Sequence, residues 1–382
     1  MKIRWRTWVV AICLLAVFVT GCSQGQQENT APAAAPAAQE ASPESAGTET
    51  DKEAPAKIPA TIEELAAYEG ADREQLILEG AKKEGAVTLY TSMNQEIVQQ
   101  LLDEFEKKYG IKVTLWRAGS EAVLQRVIQE TKAGRYDMDV VETNSIEMEA
   151  LHRDGVLQPI AKSPTFNDLT PAAILPHNEW VATRLNVFVQ AYNTNKVSPG
   201  EVPDSFEDLL DPRWKGRLAI EETDYDWFYM LCQMLGEEKT IQLFKDIVAT
   251  NGIQVRKGHA LLAELVASGE IPYALTVHSY KAETDKRAGA PTEWYSMGDA
   301  IARPNGIAIP KTTTRPYSAL LLYEFMLSEE NQKMMAELGF TVTNKKADPA
   351  LENMNLRLVD ASAILDKNAE LQKIYEDILF QR

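Results

Sequence analysis

The sequence predicts an α/β fold, and three observations carry that expectation. Short segments rich in β-branched and aromatic residues alternate with amphipathic segments of about 10–15 residues. Several of the amphipathic segments stop at a glycine, the usual helix terminator. The segment from residue 61 to 382 is also long enough, at about 320 residues, to favour two domains.

The elements follow in order. TIEELAAYEG and REQLILEGAKKEG read as helices, and AVTLYTS reads as a strand. QEIVQQLLDEFEKKYG is a strongly amphipathic helix with a Gly stop, followed by the strand IKVTLWRAG. EAVLQRVIQETKAG is a helix, DMDVVETN a strand and IEMEALHRDG a helix. Alternation of this kind predicts a parallel sheet. The pattern then restarts with the strand FVQAYNTN, the short helix and turn SFEDLLDPRWKG, the strand RLAIEET and the helix DWFYMLCQMLG. EKTIQLFKDIVATNG and HALLAELVASGE are helices and IPYALTVHSY is a strand. GIAIPK is a strand, PYSALLLYEFMLSEENQKMMAELG a long helix or a helix pair, and ELQKIYEDILF a closing helix.

Residues 1–60 have a different character. Lys2, Arg4 and Arg6 precede a short apolar run from residue 8 to 19, with Gly21 before Cys22. This is the layout of an export signal at residues 1–21. The run falls short of the roughly 20 apolar residues that a spanning helix needs. VTGC resembles a bacterial lipobox, which implies cleavage before Cys22 and lipidation of its thiol. Residues 22–60 are dominated by Ala, Pro, Ser and Glu, with almost no large apolar side chains. They read as a disordered tether. A lipid, a tether and a folded body together predict an extracytoplasmic protein held at the outer face of the cell membrane, the periplasmic side in a Gram-negative cell.

The full chain carries a net charge of −17. Without Lys2, Arg4 and Arg6, the remaining 36 basic and 56 acidic residues leave −20. Such a surface repels phosphate backbones and excludes nucleic acid as a partner. Cys232 is the single cysteine downstream of Cys22 and lies in an apolar helical pattern, so it reads as a packing residue. HExxH, Walker and CxxC motifs are absent, and the four histidines show no metal-ligand spacing.

A family signature emerges from several stretches taken in order. ADREQLILEGAKKEGAVTLYTS, YNTN, DLLDPRWKGRLAI, GEIPYAL, ARPNGIAI and FMLSEENQKMMAELG resemble bacterial extracellular solute-binding proteins of ABC importers, of the ferric-ion-binding type. The resemblance implies a two-lobed periplasmic-binding-protein-like fold with a hinged interlobe cleft. Lobe 1 is expected over residues 61–180, returning at about 300–345. Lobe 2 is expected over residues 181–299, with C-terminal helices at 346–382. The implied partners are a small-molecule or metal ligand and the permease and ATPase subunits of an importer. The chain is expected to act as a monomer, with no catalytic cofactor. The alternative is an extracytoplasmic lipoprotein hydrolase using cleft carboxylates.

Ligands in open α/β sheets sit beyond the carboxyl ends of strands, where helix N-termini point. The strand-to-helix junctions are therefore the candidate site. Thr91 and Ser92, with Asn94, end one strand, and Glu142 and Thr143 end another; plain N-capping calls for the same residue types. Ser120 and Glu121 open a helix, for which capping is a sufficient account. Glu221, Glu222, Asp224 and Tyr225 stand at a third junction, with Asp226 expected to face water and Phe228 and Met230 to pack inward. His259 opens a helix, and His278 and Tyr280 end a strand. In ferric-binding relatives the matching strand end carries adjacent tyrosines whose phenolates coordinate iron. Here His278, Ser279 and Tyr280 occupy it, so Tyr280 is the one expected metal ligand. Loss of the pair leaves ferric iron and a small organic molecule as alternative cargoes. The acidic residues at these junctions predict a ligand with an amine or other positive group, unless Arg256 and Arg303 both face the cleft.

Overall fold

The structure is a computed structural model and describes residues 61–347 and 355–380. The signal segment, the tether and Cys22 lie outside the described residues. Among the described residues, no helix is long and apolar enough to cross a membrane.

The chain begins with α1 (Ile62–Ala66), α2 (Arg73–Glu84), β1 (Ala86–Thr91), α3 (Gln95–Tyr109) and β2 (Lys112–Arg117). It continues through α4 (Ser120–Lys132), β3 (Val140–Asn144) and α5 (Ser145–Arg153). These elements follow the sequence pattern closely. In α3, Val98, Leu101, Leu102 and Phe105 recur at helical spacing and are buried. Its N-cap Asn94 accepts from Glu96 and Ile97 N–H, and Gly110 ends it in the left-handed conformation at φ 72°.

Next come β4 (Val181–Asn193), β5 (Leu218–Glu221), α6 (Tyr225–Leu235), α7 (Glu237–Asn251), β6 (Ile253–Arg256), α8 (His259–Ser268), β7 (Tyr273–His278) and α9 (Ser279–Arg287). The chain ends with β8 (Thr292–Tyr295), β9 (Ala300–Ala308), α10 (Pro316–Leu327), α11 (Glu329–Glu337), β10 (Thr341–Val342), β11 (Leu356–Leu358) and α12 (Ala361–Leu379). The predicted long helix before residue 339 is a pair, broken at Ser328, whose side chain caps α11.

The strands form one mixed sheet in the order β2-β1-β3-β9-β4-β7-β5-β6. The expectation of a parallel sheet holds for the two outer blocks, β2-β1-β3 and β7-β5-β6. It fails at the centre, where β3, β9, β4 and β7 pair antiparallel in succession. The reason is connectivity: the chain runs from one block to the other along β4 and returns along β9, and two opposed crossing strands pair antiparallel.

These blocks carry separate cores. One core gathers apolar residues between Ile62 and Ala182 and between Ile307 and Val342. The other faces of the sheet pack residues from Leu185 to Ala302 and from Val359 to Leu379, with Ile146 of α5 joining them. The result is a two-lobed α/β fold in which β4 and β9 are common to both lobes. On β9, Gly306 lies against the Trp180 ring so closely that a Cβ would stand 2.5 Å from it.

Candidate functional site

The site is built on the face of β4 and β9 that looks into the cleft between the lobes. Side chains two apart on a strand share a face, so Arg184, Asn186 and Phe188 of β4 align beside Arg303 and Asn305 of β9. The register sets Arg184 opposite Asn305 and Asn186 opposite Arg303, and it sets Asn144 of β3 opposite Asn305. The amides link in a row: Asn186 Nδ2 donates to Asn305 Oδ1 at 2.6 Å, and Asn305 Nδ2 to Asn144 Oδ1 at 3.0 Å.

Both arginines are buried and ion-paired. Arg184 pairs with Glu142, which also accepts from Thr91 Oγ1. Arg303 forks onto Asp226, with Nε and Nη2 each 2.6 Å from a carboxylate oxygen, and reaches Asp224 at 3.1 Å. Burial demands such pairing, because an isolated buried charge is costly.

The walls are helix starts. Asn94, Gly119 with Ser120, Asn144 with Glu147, Tyr225, Gly258 with His259, and His278 with Tyr280 line the cleft. These residues begin α3, α4, α5, α6, α8 and α9. In α4, α5, α6, α8 and α9 the N-cap side chain makes no capping hydrogen bond. Their first-turn N–H groups add positive potential to the cleft. The enclosed space is about 720 Å³, in the range of small-molecule sites.

Two stacked pairs sit above the floor. The His259 and His278 rings stack with centroids 3.7 Å apart, and Tyr280 stacks on Phe340 of the other lobe at 4.1 Å. Burial opposes charge on His259, yet Asp224, 3.0 Å away, and Glu221 hold its pKa above the usual value. Burial, the neighbouring His259 and the two arginines hold His278 well below it. The signs follow. The His259 contribution to stability is complete below about pH 6.5 and is lost as pH rises through the raised folded-state value. His278 acts oppositely, weakening the fold as pH falls below about 6.5. His259→Gln is accordingly expected to cost more stability at about pH 6 than at about pH 8.5. Urea midpoints at the two pH values check this; an equal cost would remove the Asp224 pairing as its cause.

Glu221, Asp224 and His259 bring ligand atoms within 4.8 Å of one another. They are nonetheless saturated. Glu221 accepts from Thr223 N–H and Oγ1 and from Gly258 N–H, and Asp224 holds both His259 and Arg303. A metal ion there would displace these bonds beside a guanidinium. The cluster ties the end of β5 to the starts of α6 and α8.

Of the residues predicted from sequence, Ser92, Glu221, Tyr225, His259, His278 and Tyr280 line the cleft. Thr91, Glu142, Thr143 and Asp224 are fully buried behind that lining. Glu142 and Asp224 act through the arginines they hold, while Thr143 donates to Ser92 Oγ at 3.2 Å. Glu222 does not line the cleft; it is partly exposed, 3.5 Å from Lys257. Asp226, expected to face water, is fully buried because Arg303 neutralises it. Ser120 and Glu121, read as capping residues, line the cleft, and Gly119 takes the N-cap position. Arg303 faces the cleft and Arg256 does not line it. The expected excess of acid on the lining is corrected too: Glu121, Glu147, Glu221 and Asp226 are matched by Arg117, Arg184, Lys257 and Arg303. Arg184, Asn186, Asn305 and Glu147 were not anticipated. The available signal was polar residues two apart, at 184 and 186, inside an otherwise apolar run.

Several buried polar atoms of the lining residues lack a hydrogen-bond partner: Arg184 Nε, Asn186 Oδ1, His278 Nε2, Glu147 Oε2 and Asn368 Oδ1. Buried polar groups are normally satisfied, so five such atoms around one space mark a place for a ligand. Two lobes joined by crossing strands around a polar cleft define a small-ligand receptor. Residues 100–355 match the model of the bacterial extracellular solute-binding protein family, and the chain belongs to that family.

Relatives agree in kind and differ in cargo. The chain is 28% identical over 207 residues to the Fe(3+)-binding periplasmic protein of Serratia marcescens, covering 53% of this chain and 60% of that relative. It is 24% identical over 272 residues to iron uptake protein A1 of Synechocystis, covering 66% and 74%. It is 27% identical over 302 residues to the spermidine/putrescine-binding periplasmic protein of Escherichia coli, covering 71% and 82%. In fold it resembles iron-bound HitA from Pseudomonas aeruginosa, with a TM-score of 0.66 and 22% identity over 77% of this chain and 99% of that one. It also resembles AfuA from Actinobacillus pleuropneumoniae with fructose-6-phosphate bound, with a TM-score of 0.68 and 22% identity over 78% and 100%.

Proposed function

We propose that the protein is the extracytoplasmic receptor of an ABC importer, held to the membrane by a lipid on Cys22, and that it captures a small organic ligand between its lobes. The observation that carries this reading is the set of unpartnered buried polar atoms on cleft-lining residues of β4, β7, α5 and α12. Ligand contacts from both lobes favour a closed form over an open one, and the closed form docks on the permease. The Tyr280–Phe340 stack and the pairing of Arg153 in α5 with Asp366 and Ser362 in α12 join the lobes in this structure.

A bare ferric ion suits the cleft less well. Ferric iron favours several anionic oxygens. Burial pushes the Tyr280 and Tyr225 phenols above their usual pKa, and Glu142, Glu221, Asp224 and Asp226 are held by arginines or main-chain N–H groups. Thermal unfolding of the full chain against small organic acids, amino acids, amines, sugars and ferric nitrilotriacetate tests the reading. At a hundred times Kd a cargo is expected to stabilise the fold by about 2.7 kcal/mol. Small-angle scattering is expected to show compaction with that same compound. Visible absorbance with iron that disappears in Tyr280→Phe would establish iron as the cargo instead. Stabilisation by nothing in the panel would reject the receptor reading.

A further inference from the structure

The cleft has two electrical poles. At one stand Arg117, Arg184, His278 and Tyr280. Arg184 is 3% exposed and His278 7%; both residues line the cleft, and each has a buried nitrogen without a hydrogen-bond partner. Arg184 spends Nη1 on Glu142 and leaves Nε–H unused. Arg117 has no carboxylate partner among the described residues and donates only to the Met93 and Ser92 carbonyls. His278 is the N-cap of α9 and makes no capping bond, so the first-turn N–H groups of that helix add to the positive pole.

At the other pole stand Glu121, Glu147 and Tyr225, beside the Asp226–Arg303 pair. Glu147 is partly buried as a residue, but its Oε2 is sealed from solvent and has no partner. The groups bearing on it are Glu121 from α4, Asp226 from α6 and Arg303 from β9, with Tyr225 at the start of α6. The residues α12 contributes to the lining, Leu365, Asn368 and Gln372, are uncharged. Burial pushes Glu147 up to about 7, so a protonated fraction is present near neutral pH.

A ligand must satisfy both poles to leave no buried group unpaired. A simple anion meets Arg184 and leaves Glu147 without a partner; a simple amine does the reverse. A bare metal ion meets neither unpartnered Arg184 Nε nor its charge. We infer that the cargo is a small zwitterion, its oxyanion bound by Arg184 and His278 and its protonated amine bound by Glu147 and Glu121. This specifies the ligand of the receptor proposed above and rests on that reading. When the ammonium arrives, Glu147 gives up its remaining proton to solvent and becomes a full carboxylate.

Calorimetric titration of the full chain tests this with β-alanine and aminomethylphosphonate as zwitterions. Propionate and methylphosphonate serve as matched anions and ethylamine as the matched cation; spermidine, glucose and ferric nitrilotriacetate complete the set. One unsatisfied buried group costs about 1–3 kcal/mol, so a zwitterion is expected to bind about 5- to 150-fold more tightly than its matched anion or cation. Its binding enthalpy near pH 7 is expected to vary with buffer ionisation enthalpy, reporting proton release. Glu147→Gln is expected to abolish that variation and to erase the preference over the matched anion. Arg117→Gln, an exposed position at the positive pole, is expected to reduce the preference over ethylamine while leaving the fold intact by circular dichroism. Equal affinity for a zwitterion and its matched anion overturns the inference, as does binding confined to spermidine, glucose or iron; in each case the receptor reading stands. No binding by any probe overturns both.

Discussion

Arg303→Met is expected to lower the stability of the protein by about 3–5 kcal/mol, the usual cost of removing one partner of a buried ion pair. The substitution keeps much of the volume and removes the guanidinium. It strands Asp224 and Asp226, both fully buried, and leaves Asp224 paired with His259 alone. Arg303 also lies over the Phe188 ring at 4.7 Å, a contact that Met partly retains. Urea unfolding near pH 7 measures the loss. Adding Asp226→Asn to Arg303→Met should recover part of it, since the amide removes one unpaired charge. If Arg303→Met alone proves nearly neutral, the triad is not a structural keystone, and the floor of the cleft must tolerate rearrangement.

Trp180→Ala is expected to cost a similar amount, about 3–5 kcal/mol, as large aromatic truncations in cores do. Trp180 is 2% exposed and lies over Gly306, where β9 passes between β3 and β4. The two positions should be coupled. Gly306→Ala places a methyl group 2.5 Å from the Trp180 ring and 3.1 Å from Met148 Cγ, an overpacking expected to cost about 1–3 kcal/mol. In a Trp180→Ala background much of that clash disappears, so the double variant should be more stable than the sum of the single effects predicts. A double-mutant cycle by urea denaturation measures the difference. Strict additivity would mean that the ring and the glycine do not share the packing that holds β9 in place.

The outer blocks of the fold are legible in the sequence because each strand and helix there declares itself locally. The apolar spacing of α3, the alternation of β1 with its helices and the glycine stops all follow from short-range rules. The crossing strands are harder to see. β4 begins at Val181, seven residues before the predicted strand, because Arg184 and Asn186 interrupt the apolar run. β9 spans residues that read as a turn, since Arg303, Pro304, Asn305 and Gly306 combine turn formers with a charge. Pro304 is accommodated within it, opposite Leu185.

The same cause limits the site. Residues at strand ends, such as Ser92, Tyr225, His259 and His278, are found by the rule that ligands sit beyond the strands. Arg184, Asn186 and Asn305 lie within strands that no local pattern assigns to a cleft. Asp226 reads as a surface charge because its partner Arg303 is 77 residues away. Buried ion pairs between distant segments have no signature in either segment alone.

The position of the polar floor on β4 and β9 has a kinetic consequence. These strands belong to both lobes, so in the proposed closure they would move least. A cargo that lands on Arg184, Asn186 and Asn305 meets nearly the same surface in the open and the closed form. Substitutions there should weaken both forms alike and change how tightly the first encounter holds. Glu121, Tyr225, Tyr280 and Phe340 stand on parts that travel. Under the proposed function, changes in those residues should alter mainly how long a captured molecule stays before the cleft reopens, the interval available for docking on a permease.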